Sequence, residues 1–99
     1  MAERDVLALS QEMTISRDDF LRVLPAAVDQ ANLRVDGDQI RPLDGDRRWR
    51  IVLSPLDDLR LGSIRLPRQR VEIFLADDDA EDRSRFLARF ELHFRRGGG

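Results

Sequence analysis

Residues 33–53 read LRVDGDQIRPLDGDRRWRIVL, and this stretch decides the fold. Short β-prone runs alternate with two Asp-Gly dipeptides, Asp36-Gly37 and Asp44-Gly45. Asp-Gly is the favoured two-residue loop of a type I′ hairpin, whose central residues both take positive φ. Two such hairpins in series predict an antiparallel meander. If both loops hold two residues, Val35 opposes Asp38, Leu33 opposes Ile40, Leu43 opposes Asp46, Arg41 opposes Arg48 and Ile40 opposes Trp49. Alternation then sends Leu33, Val35, Ile40, Trp49, Ile51 and Leu53 to one face, which must be the covered one. Arg34, Gln39, Arg41, Arg48, Arg50 and Val52 go to the other.

Upstream of the meander lies a helix start. Ser16 is a good N-cap with Asp19 at capping-box spacing, and Ile15 can staple onto Phe20. Phe20, Val23, Leu24, Ala27, Val28 and Ala31 then recur at helical spacing as one apolar stripe. Pro25 removes a backbone donor and is expected to kink this helix or split it. A first strand is read at 12–15, whereas residues 1–11 carry only Val6, Leu7 and Leu9 as sizeable apolar content and are expected to form a weakly ordered segment.

Downstream, residues 54–67 conflict in phase. Leu59 and Leu61 share one parity, Ile64 and Leu66 the other, and a bulge at Gly62 is the simplest repair. Residues 68–76 read as a strand with Val71, Ile73 and Leu75 inward and Arg70, Glu72 and Phe74 outward. Asp77, Asp78 and Asp79 end it and lead a helix over 80–94, whose stripe is Phe86, Leu87, Phe90 and Phe94. Acid first and Arg95-Arg96 last suit the helix dipole. Gly97, Gly98 and Gly99 stop the helix and form a flexible tail.

The element order is therefore β-α-β-β-β-β-α. It predicts an α+β two-layer sandwich, an antiparallel meander sheet with helices on one face, formed by a single domain over 12–96. The order resembles the TATA-box-binding-protein-like topology as an arrangement of elements, with no shared motif, and an arrangement carries no activity.

Composition narrows the chemistry. The chain has 99 residues, 36% of them charged, and no cysteine, so disulfides, thiolate nucleophiles and thiolate zinc sites are excluded. Its 17 basic residues are all arginine, against 19 acids, for a net charge of −2. The absence of lysine and tyrosine fits the codon supply of a GC-rich bacterial genome. Neither a signal sequence nor a run of about 20 apolar residues is present, which predicts a cytoplasmic location and no membrane partner. His93, the single histidine, reads as a favourable charge at a helix C-terminus. Ser10, Ser16, Ser54, Ser63 and Ser84 lack a nucleophile-elbow context, and the Asp-Gly-Asp triplets lack the rest of a calcium loop. The expectation is a chain that is not an enzyme and holds no cofactor and no metal.

What remains is the open face of the sheet. Arg34, Arg41, Arg48, Arg50, Arg70 and Phe74 are the candidate partner-binding residues, with Glu72 the acid among them. Guanidinium forks pair with carboxylate or phosphate, and like charges facing one another in a sheet are otherwise unfavourable. The plainer reading is a solvated face whose arginines pair with Glu72 or loop aspartates. The sequence thus predicts a small binding domain whose partner is a protein or a second copy of itself. A nucleic acid or other polyanion is the alternative, weakened by a pI near 5.4 and by few outward aromatics. A second alternative is a carrier with a reactive C-terminal Gly-Gly, since small sulfur-carrier and ubiquitin-like proteins end that way. In those proteins a strand leads into the tail, whereas here a helix does.

Overall fold

The computed structural model describes residues 5–43, 49–76 and 79–97. The chain runs β1 (Asp5–Met13), α1 (Arg17–Ala27), β2 (Leu33–Asp36), β3 (Gln39–Pro42), β4 (Trp49–Leu61), β5 (Ile64–Ala76) and α2 (Ala80–Gly97). This is the expected α+β order. The five strands form one antiparallel sheet in the order β1-β5-β4-β3-β2, so β2 to β5 are a meander and β1 closes on its far side.

One face of that sheet is covered by both helices. Ile40, Trp49, Ile51, Leu53, Val71, Ile73 and Leu75 point into it and are buried with Phe20, Leu24 and Ala27 of α1, Val28 at its end, and Phe90 and Phe94 of α2. Each of the larger aliphatic and aromatic side chains contributes on the order of 1.5–3 kcal/mol by leaving water. The two helices meet through Phe20 of α1, whose ring stacks on Phe94 of α2 at 4.7 Å, while Phe90 lies tilted 4.6 Å from Phe94 within α2. Trp49 packs at 5.9 Å against Phe86 and is 5% exposed. Its emission is therefore expected to be blue-shifted and shielded from acrylamide in the folded protein. A solvent-like spectrum would place the indole on the wrong face.

The helix starts follow the sequence. Ser16 Oγ accepts from the Asp19 amide at 3.1 Å. Arg22 Nη2 donates to Asp19 Oδ1 at 2.8 Å, and this bond holds the Asp19 carboxyl below its ordinary value. The stabilisation it gives is present at neutral pH and lost as pH falls through the lowered pKa. In α2, Asp79 Oδ1 accepts from the amides of Glu81 and Asp82 at 2.9 and 3.2 Å, satisfying two orphan donors.

Pro25 neither splits α1 nor displaces it, because it falls in the last turn, where few bonds remain to be lost. The stripe ends sooner than expected, and Ala31 is exposed beyond the helix. A Schellman-type end closes α1: the Gln30 amide donates to Pro25 O at 3.0 Å and the Asp29 amide to Ala26 O at 3.4 Å. Asp29 sits there at φ 55°, a left-handed conformation that glycine adopts more cheaply. Arg89 of α2 clasps the same end, its Nε donating to Ala26 O at 2.8 Å and its Nη2 lying 3.7 Å from Asp29 Oδ1. Asp29→Gly is expected to raise stability by about 0.5 kcal/mol and Asp29→Val to lower it by about 1–2 kcal/mol. Urea unfolding checks both, and equal midpoints would contradict the backbone geometry.

Three local expectations need correction. First, β1 starts at Asp5, so residues 5–11 of the segment expected to be weakly ordered pair along β5. A register shift between Leu7 and Leu9 places Leu7 opposite Phe74 and Leu9 opposite Ile73, which breaks the strand's alternation and hides it from a pattern reading. Second, the first hairpin pairs Asp36 with Gln39 and Val35 with Ile40. Its loop residues are Gly37 and Asp38, with positive φ at Gly37 alone, the glycine-first pattern of a type II′ turn. Ile40 then faces Ile51 rather than Trp49. The Asp44-Gly45 turn lies outside the described residues.

Third, Gly62 is a turn residue and not a bulge. With φ 61° it forms, with Ser63, the two-residue loop of a long hairpin in which Leu61 faces Ile64, Arg60 faces Arg65 and Leu59 faces Leu66. The bulge sits at Asp57 and Asp58, between the Leu56–Arg68 and Leu59–Leu66 pairs, where two residues of β4 oppose Pro67 alone. Proline has no amide to give to a ladder, which makes it a natural partner for a bulge. Arg68 Nε donates to Asp57 O at 2.8 Å and fixes the bulged backbone.

Candidate functional site

The sheet's second face carries no helix. Alternation places Leu7, Ser10 and Glu12 of β1, the even residues 64–74 of β5, Arg50, Val52 and Ser54 of β4, Gln39 and Arg41 of β3, and Arg34 of β2 on it. Leu7, Phe74 and Arg50 stand in register across three strands at one end. Next come Ser10, Glu72, Val52 and Gln39 in register, then Glu12, Arg70 and Ser54.

Arg34, Arg41, Arg50 and Arg70 lie on this face, yet they are not bare. Arg34 Nε lies 3.0 Å from Asp36 Oδ2, and Arg41 Nη2 donates to Gln39 Oε1 at 3.0 Å. Arg70 Nη2 is 3.5 Å from Glu12 Oε2, while Arg68 Nη1 holds Oε1 of the same carboxylate at 3.1 Å. The Arg50 guanidinium lies over the Phe74 ring, 4.1 Å from its centroid. Arg48 lies outside the described residues. On its β2 flank Arg41 faces Arg34. Like charges so placed are unfavourable by a few tenths of a kcal/mol, so Arg41→Gln is expected to leave stability unchanged or raise it by up to about 0.5 kcal/mol. A loss above about 1 kcal/mol in a thermal melt would mean that the guanidinium is structural.

The β4–β5 hairpin adds a part of the surface that the sequence reading missed. Beyond Gln69, where pairing with β1 ends, and Leu53, whose amide donates to Asp38 O at 2.8 Å, the hairpin continues as a two-stranded arm with no third strand among the described residues. It gives the molecule an elongated outline of 49 × 25 × 23 Å. The bulge shifts β4 by one residue, so Leu59 and Leu61 leave the core side and join Ile64 and Leu66 on the open side. Leu61 and Ile64 are 56% and 57% exposed. Arg60 and Arg65 occupy the arm's other side, directly opposite each other and without an ion-pair partner among the described residues. The signal is present in the sequence as the phase conflict around residues 59–66, but its source is Asp57-Asp58 and not Gly62.

His93 Nδ1 lies 3.0 Å from Arg89 O, one helical turn back in α2, which fits a donated hydrogen bond and a ring held against its own helix. Among the described residues no group of three or more His, Cys, Asp or Glu could hold a metal ion, and no helix is long and apolar enough to cross a membrane. Comparison with protein-family models, curated proteins and solved structures finds no match to this chain.

Proposed function

We propose that this chain is a non-catalytic binding domain that contacts a protein through the open face of its sheet. The observation that carries the reading is the composition of that face: Phe74 under Arg50, exposed Leu7, half-buried Val52 and the arm's leucines lie together on one side of the sheet. Arginine and aromatic residues are enriched at protein interfaces, and contiguous exposed apolar surface marks a docking region.

Pairing within the face also argues for a protein over a polyanion. Arg34 and Arg70 already have carboxylate partners, so a phosphate backbone would have to displace them while facing Asp36, Glu12 and Glu72. Oligonucleotide affinity is expected to be no tighter than about 10⁻⁴ M at physiological salt, the weak end of non-specific association. The test uses the full chain as immobilised bait against lysate of its native host, beside a Leu7→Glu/Phe74→Glu variant and a Leu92→Ser variant altered on exposed α2. A protein retained by the parent and by Leu92→Ser but lost from the double variant supports the reading. Retention of nucleic acid alone, or equal retention by all three, overturns it.

A further inference from the structure

We infer that the β4–β5 arm is hinged at its root and that Arg68 is the latch that holds it in line with the sheet, with Glu12 of β1 as the catch. Such a latch works whatever the open face binds.

The backbone ladder of the hairpin is interrupted at the root of the arm. Among the described residues, neighbouring strands support β4 and β5 no further than Leu53 and Gln69. Immediately beyond lie Pro55, paired with Gln69, and Pro67, which faces the two-residue bulge at Asp57 and Asp58. Neither proline has an amide to donate, and the bulge breaks the pairing that remains. The tip offers little to hold the arm in place. Leu61 and Ile64 are more than half exposed, and Arg60 and Arg65 make no ion pair among the described residues.

The Arg68 side chain bridges this root. Its Nε donates to Asp57 O at 2.8 Å, on the bulged backbone, and its Nη1 donates to Glu12 Oε1 at 3.1 Å, on the strand that flanks β5. A guanidinium is planar and its donors form a fixed fork, so holding one partner aims the other. The Arg68 side chain is 29% exposed, and the contact is screened less than a fully solvated pair. Arg70 Nη2 lies 3.5 Å from the other oxygen of Glu12, whereas its own place in β5 is opposite Ser54, on the body side of the bulge.

The latch couples β1 to the arm. Glu12 is the penultimate residue of β1, whose one neighbour among the described strands is β5. While β1 is docked, Glu12 holds Arg68, Arg68 holds the bulge, and the row of Leu59, Leu61, Ile64 and Leu66 stays aligned with the open face. With the catch withdrawn, the arm is free to bend about the bulge and Pro67. Its tip at Gly62 lies about 13 Å beyond Asp58 at roughly 3.3 Å per residue, so a small bend at the root moves the tip far.

The absence of cysteine lets two nitroxide labels be placed without background. Asp18→Cys, exposed on α1, and Leu61→Cys, exposed at the tip, carry them, and double electron–electron resonance reads the distance between body and arm. The parent pair is expected to give one narrow distribution. Glu12→Gln and Arg68→Ala should each broaden it at least about twofold, and the amides of 59–61 and 64–66 should exchange at least about tenfold faster. The melting temperature should fall by no more than about 5 °C, since exposed ion pairs contribute little to global stability. Arg68→Lys, which keeps the charge without the fork, should broaden the distribution as well, whereas Arg70→Gln, which leaves the latch intact, should keep it narrow. A parent as broad as its variants, or variants as narrow as the parent, overturns the latch. Equal broadening by Arg70→Gln would mean a general loosening of the sheet and overturns it too. If Arg68→Ala does not fold, the near-isosteric Glu12→Gln decides alone.

Discussion

Replacing Phe20 with alanine is expected to cost about 3–5 kcal/mol, a large share of the stability available to a chain of this size. The ring is fully buried and lies 4.7 Å from Phe94 and 6.2 Å from Phe90. It therefore joins α1 to α2 as well as to the sheet, and its removal opens a cavity that three elements would have to close together. Neighbouring Arg22 and Asp18 are exposed on the same helix, so Asp18→Ala is the matched control, with an effect within about 0.5 kcal/mol. Urea unfolding followed by circular dichroism separates the two. A cost below about 1 kcal/mol for Phe20→Ala would mean that α2 docks without it.

The second large effect compares one substitution at two places on one strand. Leu53 and Leu61 both belong to β4, and only Leu53 is fully buried. Leu53→Ala should destabilise by about 2–5 kcal/mol, whereas Leu61→Ala should change stability by less than about 0.5 kcal/mol. The contrast measures the difference between the helix-covered body of the sheet and the uncovered arm. Comparable losses at the two positions would mean that the arm's tip is covered.

Much of this architecture was legible because side-chain alternation tolerates some errors and not others. The first hairpin closes one residue later than its Asp-Gly dipeptide suggests, and the next pairing is also displaced, with Ile40 facing Ile51 in place of Trp49. Each displacement moves partners by two residues. A two-residue slip returns every side chain to its own face, so Ile40, Trp49, Ile51 and Leu53 stay in the core and Arg34, Arg41 and Arg50 stay outside. Faces survived where register did not.

Single-residue insertions have the opposite effect. The shift in β1 puts Leu7 and Leu9 on opposite faces although they share a parity, so the strand reads as noise. In β4 the phase conflict was evident, but a conflict between Leu53 and Ile64 does not say where the extra residue sits. Gly62 drew the assignment because glycine favours both turns and bulges. Pro67, which lacks the amide of the ladder, was the better pointer. The pairing that occupies Arg70 was beyond the sequence, since Glu12 reaches it only through the placement of β1 beside β5, whereas Arg34 pairs with the nearby Asp36.

That placement bears on how the chain is made. Synthesis releases β1 before the other described strands, yet its one neighbour among them is β5, and the Met13–Gln69 and Val6–Leu75 pairs join residues made more than fifty positions apart. On the ribosome, at about 5–20 residues per second, β1 must wait several seconds for that neighbour. The meander and α1 can organise meanwhile through short-range contacts, which form before long loops close. Until β1 docks, β5 is an unpaired edge, and Val71, Ile73 and Leu75 lack their final cover until α2 has been made. The nascent chain thus exposes the apolar side of β5 until α2 follows it, and that interval is when chaperones would find it.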